Sequence, residues 1–157
     1  MKTENILIDT KGVAEVTLSY KTKVCPKDRV IIKTSRDAYQ LLFDSWNKNT
    51  IEYFEEFKIL LLNRSNAVLG IFSISKGGIS GTVTDVRIIF QSVLKSNASG
   101  IIICHNHPSG NENPSDSDRR ITQKIKEAGN LMDIQLLDHI IILPVEGFYS
   151  FADDGII

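Results

Sequence analysis

The spacing of apolar positions along the chain predicts a series of strands. Val16–Tyr20 alternates apolar and polar residues after the turn DTKG and predicts an N-terminal β-hairpin with Ile6–Ile8. Two apolar runs, Phe57–Leu62 and Ala67–Ser75, are joined by the turn NRSN and predict a second hairpin. The run GIIIC, Gly100–Cys104, predicts a short buried strand.

Three segments have helical spacing instead. After Ser35, a favourable N-cap residue, the apolar positions of the first helix are Tyr39, Leu42, Phe43 and Trp46. A second helix is predicted from about Asp85, and its apolar stripe consists of Val86, Ile89, Phe90, Val93 and Leu94. The third is predicted from Ser115 to Ala128, with Gly129 as its C-cap residue.

The C-terminal region returns to strand spacing. Three short strands are predicted there, Gln135–Leu137, His139–Leu143 and Phe148–Phe151, with PVEG as a turn. Because strands and helices alternate irregularly, we expect an α/β (α+β) fold in which helices cover a mixed sheet. Residues 1–33 are expected to form an accessory segment ahead of a main domain over residues 34–157.

Composition narrows the class of protein. With 157 residues, of which 42% are hydrophobic, the chain is expected to form one soluble domain. Its net charge of −1 argues against an overall nucleic-acid-binding surface. Cys25 and Cys104 match no CxxC pattern, so we expect reduced, buried thiols. Without a signal-peptide core or a long apolar run, we expect a cytoplasmic protein with no membrane association.

The stretch CHNHPSGNENPSDSD, which begins at the end of the predicted buried strand, carries candidate chemistry. Side chains two apart on a strand share a face, so His105 and His107 are expected to point the same way. Two neutral imidazoles in this arrangement can chelate zinc, and a catalytic zinc takes a third protein ligand besides water. The opposing interpretation is that the His-x-His pair is incidental.

Two aspartates compete for the third position. Asp118 falls on the apolar face of the third helix, because steps of four and three residues back along the helix connect it with Met132, Ala128, Ile125 and Ile121. Asp116 lies about 200° away around the helix and is expected to face solvent. Asp118 is therefore the better ligand, because a metal would compensate the burial of its carboxylate. Ser115 and Asp118 also form the pattern of a capping box, which requires no metal.

A hydrolase also needs a group that moves protons. Glu55 stands ahead of the apolar run that begins the second hairpin. It shares a strand face with Phe57, Ile59 and Leu61, and a carboxylate in that position can act as a general base. The alternative is that Glu55 belongs to a solvated acidic helix end.

The sequence HNHPSGNENPSDSD resembles a known signature. It matches the JAMM pattern (His-x-His, seven residues, Ser, two residues, Asp) at His105, His107, Ser115 and Asp118. The segments FKILLLNRSNAVLGIFSISKGGISGT, LDHIIIL and GFYSFADDGII resemble the RadC-like branch of the JAB1/MPN superfamily, and the similarity extends from about Ser35 to the C-terminus. The resemblance implies a JAB1/MPN-like mixed sheet flanked by helices, layered as in cytidine deaminases.

The resemblance also implies roles for individual residues. The zinc ligands of the family are matched by His105, His107 and Asp118. Glu55 matches the catalytic glutamate, and Glu56 is its competitor, because in more distant relatives the glutamate directly precedes the hydrophobic run. Ser115 matches the serine expected to stabilise an oxyanion. The implied activity is zinc-dependent hydrolysis of a peptide or isopeptide bond in a peptide or protein substrate.

Other functions stay open at the level of sequence. A metal-dependent nuclease or DNA-repair factor would use the basic residues of DRR together with Lys124 and Lys126. Longer members of the family carry an N-terminal helical region suggestive of DNA binding, whereas residues 1–33 here are expected to form a hairpin and a polar loop. A JAB1/MPN domain can also act as a non-catalytic scaffold. The ligand motifs of zinc deaminases are missing.

Three further features have alternative interpretations. Cys104 adjoins His105, but its place at the end of an apolar strand favours a core residue over a thiol nucleophile. His139 is expected to be a hydrogen-bonded core residue and not a fourth ligand. The loop KGGISGT lacks the order of a phosphate-binding loop. We expect it to border the active site, with substrate contacts from Ser80, Gly81 and Thr82.

Overall fold

The computed structural model describes residues 12, 14, 19–77 and 84–157. Most of the predicted N-terminal hairpin lies outside the described residues. Ser80, Gly81 and Thr82 also lie outside them, so their predicted contacts with substrate stay a prediction. The proposed domain boundary after residue 33 likewise stays a prediction.

The described residues form three α-helices and five strands, besides a short 3-10 helix at Pro26–Asp28. The helices are α1 (Ser35–Asp44), α2 (Val86–Lys95) and α3 (Asp116–Leu131). The strands are β1 (Glu56–Leu62), β2 (Val68–Lys76), β3 (Gly100–Asn106), β4 (Gln135–Ile142) and β5 (Phe148–Ser150). None of these helices is long and apolar enough to cross a membrane.

The strands form one mixed sheet in the order β2-β1-β3-β4-β5. Strands β3 and β4 are parallel, whereas β1 pairs antiparallel with both β2 and β3, and β5 pairs antiparallel with β4. The parallel pair is connected by α3, which is the usual solution because parallel neighbours need a crossover. The predicted α/β fold with a mixed sheet covered by helices is therefore confirmed.

The sheet separates two apolar layers. One face packs against α1 through Ala38, Tyr39 and Leu42. The opposite face packs against α2 and α3 through Ile89, Phe90, Val93 and Ile125. Because β3 lies in the middle of the sheet, it is buried along its whole length.

Alternation along β3 determines which layer each of its side chains enters. Ile102 and Cys104 belong to the layer of α1, and Ile101 and Ile103 to the layer of α2 and α3. By the same alternation, His105 at the end of the strand lies on the side of α3. The ring of His105 thereby lies beside the first turn of α3.

Helix boundaries differ from the sequence predictions in α1 and α3. Helix α1 ends at Asp44, before the predicted helical position Trp46. Thr34, not Ser35, is the N-cap of α1, and its side chain accepts a hydrogen bond from the backbone of Asp37. Helix α3 continues past Gly129 and ends at Leu131, so the predicted glycine C-cap is wrong. A Cβ atom at position 129 would lie 2.4 Å from the carbonyl oxygen of Ile134. The glycine therefore permits close packing of the helix against the chain that follows it.

Three other local predictions need correction. The segment 135–142 is one strand and not two, because a bulge between Leu136 and Asp138 lets β4 continue along β3. Leu94, which is predicted to lie in the apolar stripe of α2, is 59% exposed. Cys25 is an exposed free thiol, while Cys104 is free and buried as predicted.

Candidate metal centre

Three side chains converge where β3 ends and α3 begins. The Nε2 atoms of His105 and His107 lie 2.9 Å apart. The carboxylate of Asp118 lies 3.3 Å from His105 Nε2 through Oδ1 and 3.6 Å from His107 Nε2 through Oδ2. Each residue thus offers one ligand atom within 4.8 Å of the other two. The predicted convergence of these three residues is confirmed.

The first turn of α3 directs Asp118 inward. Ser115 is the N-cap and forms a capping box with Asp118, so the alternative that requires no metal is also present. Both features use one carboxylate, because Oδ2 accepts from the backbone and hydroxyl of Ser115 while Oδ1 faces His105. Asp116 is exposed, as its position around the helix predicts.

The backbone orients the ring of His107. Its Nδ1 lies 2.6 Å from the carbonyl oxygen of Asn111. A carbonyl can only accept a hydrogen bond, so Nδ1 must carry the proton. In the neutral ring, Nε2 is then left with a free lone pair directed at the neighbouring ligands. Second partners of this kind are typical of histidines that bind metals.

A third histidine lies behind the first. His139 Nε2 is 2.8 Å from His105 Nδ1, and His139 Nδ1 is 2.6 Å from the hydroxyl of Thr122. His139 is fully buried, and its ring stacks on that of Phe151. It is thus a hydrogen-bonded core residue, as predicted, and one of its two ring nitrogens is bonded to a residue of the candidate site.

Burial and neighbouring charges set the protonation of the site. Desolvation lowers the pKa of His105 to about 4, so this ring is neutral at neutral pH. Burial opposes ionisation of Asp118, but hydrogen bonds from His107 and Ser115 outweigh it and hold the pKa of the carboxyl well below its ordinary value. A neutral imidazole and an ionised carboxylate are the forms that bind metals.

His107 titrates differently from His105. Burial lowers its pKa, but hydrogen bonds to Asp118 and Asn111 and the negative charges of Asp118 and Glu55 raise it overall. A proton on His107 Nε2 would occupy the space between the two imidazoles, where a metal would otherwise bind. Metal and proton therefore compete for this nitrogen.

The three side chains fit a divalent metal with an open coordination position. Two imidazole nitrogens and one carboxylate oxygen form a ligand set found in catalytic zinc sites, in which water occupies the fourth position. Nitrogens bound to one tetrahedral zinc at 2.0–2.1 Å lie roughly 3.3 Å apart. The two Nε2 atoms are already close to that separation, at 2.9 Å.

The two candidate glutamates have different surroundings. The carboxylate of Glu56 lies 3.2 Å from Lys76 Nζ and 3.8 Å from Lys58 Nζ. Lys58 in turn lies over the ring of Trp46 in the layer of α1, on the face of the sheet opposite His105. Glu56 is therefore directed away from the three candidate ligands.

Glu55 immediately precedes β1, in phase with Phe57 on the other face of the sheet. The ring of Phe57 lies parallel to that of His105, with centroids 6.1 Å apart. The negative charge of Glu55 also contributes to the raised pKa of His107. Of the two glutamates, Glu55 is the one whose charge acts on the histidine site.

Asn106, between the two histidines, holds the segment that leads into β1. Its side chain accepts a hydrogen bond from the backbone of Glu56 and donates to the carbonyls of Ile51 and Phe54, at 2.7–2.8 Å. Asn106 belongs to no part of the predicted site. Because Asn106 directly follows His105 on a strand, its side chain is expected on the opposite face of the sheet. This alternation was the feature of the sequence that indicated a role apart from the histidines.

Cys104 does not have the environment of a nucleophile. The residue is fully buried, and its thiol donates to the backbone carbonyl of Lys58. Burial raises the pKa of the thiol, which excludes a thiolate at neutral pH. The interpretation of Cys104 as a core residue is confirmed.

Comparison with known sequences agrees with this geometry. The sequence model of the family described as RadC-like JAB domain matches residues 32–156. The chain belongs to this family. The RadC-like resemblance of the motif is thus confirmed, and the match contains all three candidate ligands.

Relatives of the RadC-like JAB domain include two proteins described as UPF0758. The chain is 53% identical to one from Flavobacterium johnsoniae over 102 residues, which is 65% of this chain and 44% of that protein. It is 39% identical to one from Clostridium beijerinckii over 146 residues, which is 93% of this chain and 62% of that protein. The chain therefore spans only about half of these relatives. JAB domains are typically hydrolytic, and this one has a candidate metal site.

Proposed function

We propose that this RadC-like JAB domain is a zinc-dependent hydrolase that cleaves a peptide or isopeptide bond. The observation that carries the proposal is the convergence of His105, His107 and Asp118 within 4.8 Å. Two imidazoles and a carboxylate favour zinc over magnesium or calcium, which prefer oxygen ligands. Zinc bound there would supply a Lewis acid that polarises the scissile carbonyl and makes water more acidic.

Glu55 is the proposed proton shuttle. In hydrolysis of an amide, a base removes a proton from the attacking water, and an acid returns one to the leaving amine. The negative charge of Glu55 helps to raise the pKa of His107, whereas the carboxylate of Glu56 forms ion pairs with Lys58 and Lys76. We therefore assign both proton transfers to Glu55.

Ser115 is the proposed hydrogen-bond donor to the oxyanion. Its single hydroxyl proton is donated to Asp118 Oδ2 at 2.7 Å. Donation to a substrate therefore requires the hydroxyl to rotate from Asp118 to the oxyanion during the reaction. The backbone N–H of Ser115 also donates to Oδ2, so this carboxylate oxygen keeps a partner when the hydroxyl turns away.

A peptide or protein is the proposed substrate, because the net charge of −1 offers no general attraction for nucleic acid. The second candidate function is a metal-dependent nuclease. It is favoured by Arg119 and Arg120, which are exposed and directly follow Asp118. These cations could contact a phosphate near the site.

Two glutamine variants separate catalysis from metal binding. Glu55→Gln and Glu56→Gln are compared for zinc content, for cleavage of a peptide-linked and an isopeptide-linked fusion protein, and for nicking of supercoiled plasmid, each with and without EDTA. We expect Glu55→Gln to keep its zinc and lose peptide cleavage by about 100-fold or more, because the general base is missing. Glu56→Gln should retain both.

The alternatives give distinct results in the same assays. Full cleavage by Glu55→Gln would contradict the assigned role. Plasmid nicking that EDTA abolishes, without cleavage of either fusion protein, would favour the nuclease. Zinc binding without hydrolysis of any of these substrates would favour a binding scaffold.

A further inference from the structure

His105, His139 and Thr122 are linked by consecutive hydrogen bonds, and the hydroxyl of Thr122 determines where the protons lie. Thr122 Oγ1 lies 2.6 Å from the backbone carbonyl oxygen of Asp118 and 2.6 Å from His139 Nδ1. The hydroxyl has one proton, and a carbonyl oxygen can only accept. The proton must therefore lie between Thr122 and the carbonyl, because two bare oxygens at this distance would repel each other.

This assignment determines the tautomer of His139. With its proton donated to the Asp118 carbonyl, the Thr122 oxygen can only accept from His139, so His139 Nδ1 carries a hydrogen. His139 has no exposed surface, and its ring contacts the rings of Phe57 and Phe151, surroundings that favour the neutral imidazole. In the neutral ring, Nε2 is unprotonated and accepts.

The tautomer of His139 in turn determines where His105 carries its proton. Its Nδ1 lies 2.8 Å from the accepting Nε2 of His139, so His105 Nδ1 must be the donor. Its own Nε2 is therefore unprotonated and directed at His107 and Asp118. This is the tautomer that a metal requires, and it is set by residues that do not contact the candidate metal position.

We infer that Thr122 and His139 are positioning residues, which select the metal-binding tautomer of His105 through a chain of hydrogen bonds that begins at the backbone carbonyl of Asp118. The inference rests on the proposed function, because it assigns the chain a purpose in zinc binding. It also gives a reason for the burial of a histidine on β4. The helix that supplies one ligand thereby also orients another.

The test uses the full chain labelled with ¹⁵N-histidine. In metal-free protein, long-range ¹H–¹⁵N correlation spectra distinguish protonated from bare ring nitrogens. Wild type should show His105 protonated at Nδ1 and bare at Nε2. In Thr122→Val, which keeps the shape but removes the acceptor, His139 should move its proton to Nε2 and force His105 to carry its own on Nε2.

Zinc affinity provides the second measurement. Competition with a chromophoric chelator should show a loss of about 10- to 100-fold in Thr122→Val and His139→Phe, the effect usual for groups that orient metal ligands. Thr122→Ser restores the hydroxyl, and His139→Gln restores an acceptor for His105 Nδ1. Both should show the wild-type protonation of His105 and most of its affinity.

Ser96→Ala is the control for the loss of a buried hydroxyl that donates to a helical carbonyl, because Ser96 is the C-cap residue of α2. Ser96 is buried and donates to the carbonyl of Val93, and within the described part of the chain it has no hydrogen bond to a histidine. This variant should lose stability without any change in the His105 spectrum or in zinc affinity. It separates a general effect of destabilisation from an effect on the tautomer.

The inference is overturned if His105 in Thr122→Val is protonated at Nδ1 to the same extent as in wild type, or if wild type already carries the proton on Nε2. Because the tautomer is measured without metal or substrate, this result does not depend on the proposed function. If wild type binds no zinc while the tautomer responds as expected, the proposed function fails and the hydrogen-bond chain stands.

Discussion

Ser115 and Asp118 exchange hydrogen bonds in both directions. The backbone N–H of Asp118 donates to Ser115 Oγ at 3.1 Å, and the backbone N–H and hydroxyl of Ser115 both donate to Asp118 Oδ2 at 2.7 Å. The same pair of residues thus caps the helix and orients the carboxylate of Asp118, a candidate metal ligand. The second oxygen of the carboxylate remains directed at His105.

The chain offers a matched pair for testing what this cap does. Thr34 and Asp37 form the same capping box at the start of α1. We expect Ser115→Ala and Thr34→Ala each to lower the free energy of unfolding by about 1 kcal/mol, measured by urea denaturation. Only Ser115→Ala should also lower the rate of peptide hydrolysis, by about 100-fold, because an oxyanion donor is lost. Equal losses of activity in both variants would show that Ser115 acts only as a helix cap and not as a donor to the oxyanion.

Stability of the metal-free protein should fall on acidification from pH 6.5 toward pH 4. Burial lowers the pKa of His105 to about 4 and that of His139 well below 6.5, so in this window the unfolded chain binds protons that the folded chain excludes. The free energy of unfolding then decreases by about 1.4 kcal/mol per pH unit for each histidine. Asp138 has the opposite effect. Burial raises its pKa above the ordinary value of 3.8, so between these two pKa values acidification stabilises the folded protein through this group.

Urea denaturation in EDTA, repeated across this pH range, measures the slope. His107→Ala is the control, because the pKa of His107 is raised and the ring is protonated in both folded and unfolded chains below pH 6.5. It should keep most of the slope, whereas His105→Ala should lose the part due to His105. A free energy of unfolding that does not change between pH 6.5 and 4 would show that the two buried rings accept protons in the folded protein.

Asn106 should affect catalysis more than metal binding. Asn106→Ala leaves the backbone N–H of Glu56 and the carbonyls of Ile51 and Phe54 without their partner, which should cost about 2–4 kcal/mol of stability. Since these bonds fix the segment that contains Glu55, we expect turnover to fall further than zinc affinity. The measurements are the hydrolysis rate at saturating zinc and the zinc dissociation constant.

Asn63 provides the comparison for Asn106. Its side chain accepts from the backbone of Ser65 and Ala67 in the turn between β1 and β2. Asn63→Ala should lower stability without a selective loss of turnover. A parallel fall of zinc affinity and turnover in Asn106→Ala would contradict a specific effect on Glu55.

The two cysteines should differ in reactivity. Cys25 is exposed and Cys104 is buried, with a pKa that burial raises. Ellman's reagent should therefore react with one thiol in the native protein and with two after denaturation. Rapid reaction of both thiols in the native state would contradict the interpretation of Cys104 as an unreactive core residue.

Local pattern was sufficient for much of the site. Two histidines separated by one residue share a face on any extended segment, and the helical phase of Asp118 follows from the apolar positions behind it. The hairpin of β1 and β2 was likewise apparent from two apolar runs around a polar turn. These features depend on neighbours in sequence, which a single chain contains.

Features that depend on distant contacts could not be predicted in this way. The parallel pairing of β3 with β4 brings His139 behind His105, and nothing near either residue in sequence specifies that register. A glycine at position 129 predicts a helix end from the sequence alone, whereas its packing against Ile134 is visible only once the chain has turned back. The ion pair between Glu56 and Lys76, which helps to direct Glu56 away from the site, also joins two different strands.

The central claim is that His105, His107 and Asp118 bind one metal ion, and metal analysis of an aspartate pair tests it most directly. Asp118→Ala and Asp116→Ala remove carboxylates two residues apart, one directed at the histidines and one exposed. After zinc loading and desalting, wild type and Asp116→Ala should each retain one zinc per chain, and Asp118→Ala should lose it. An equal zinc content in all three proteins would contradict the claim.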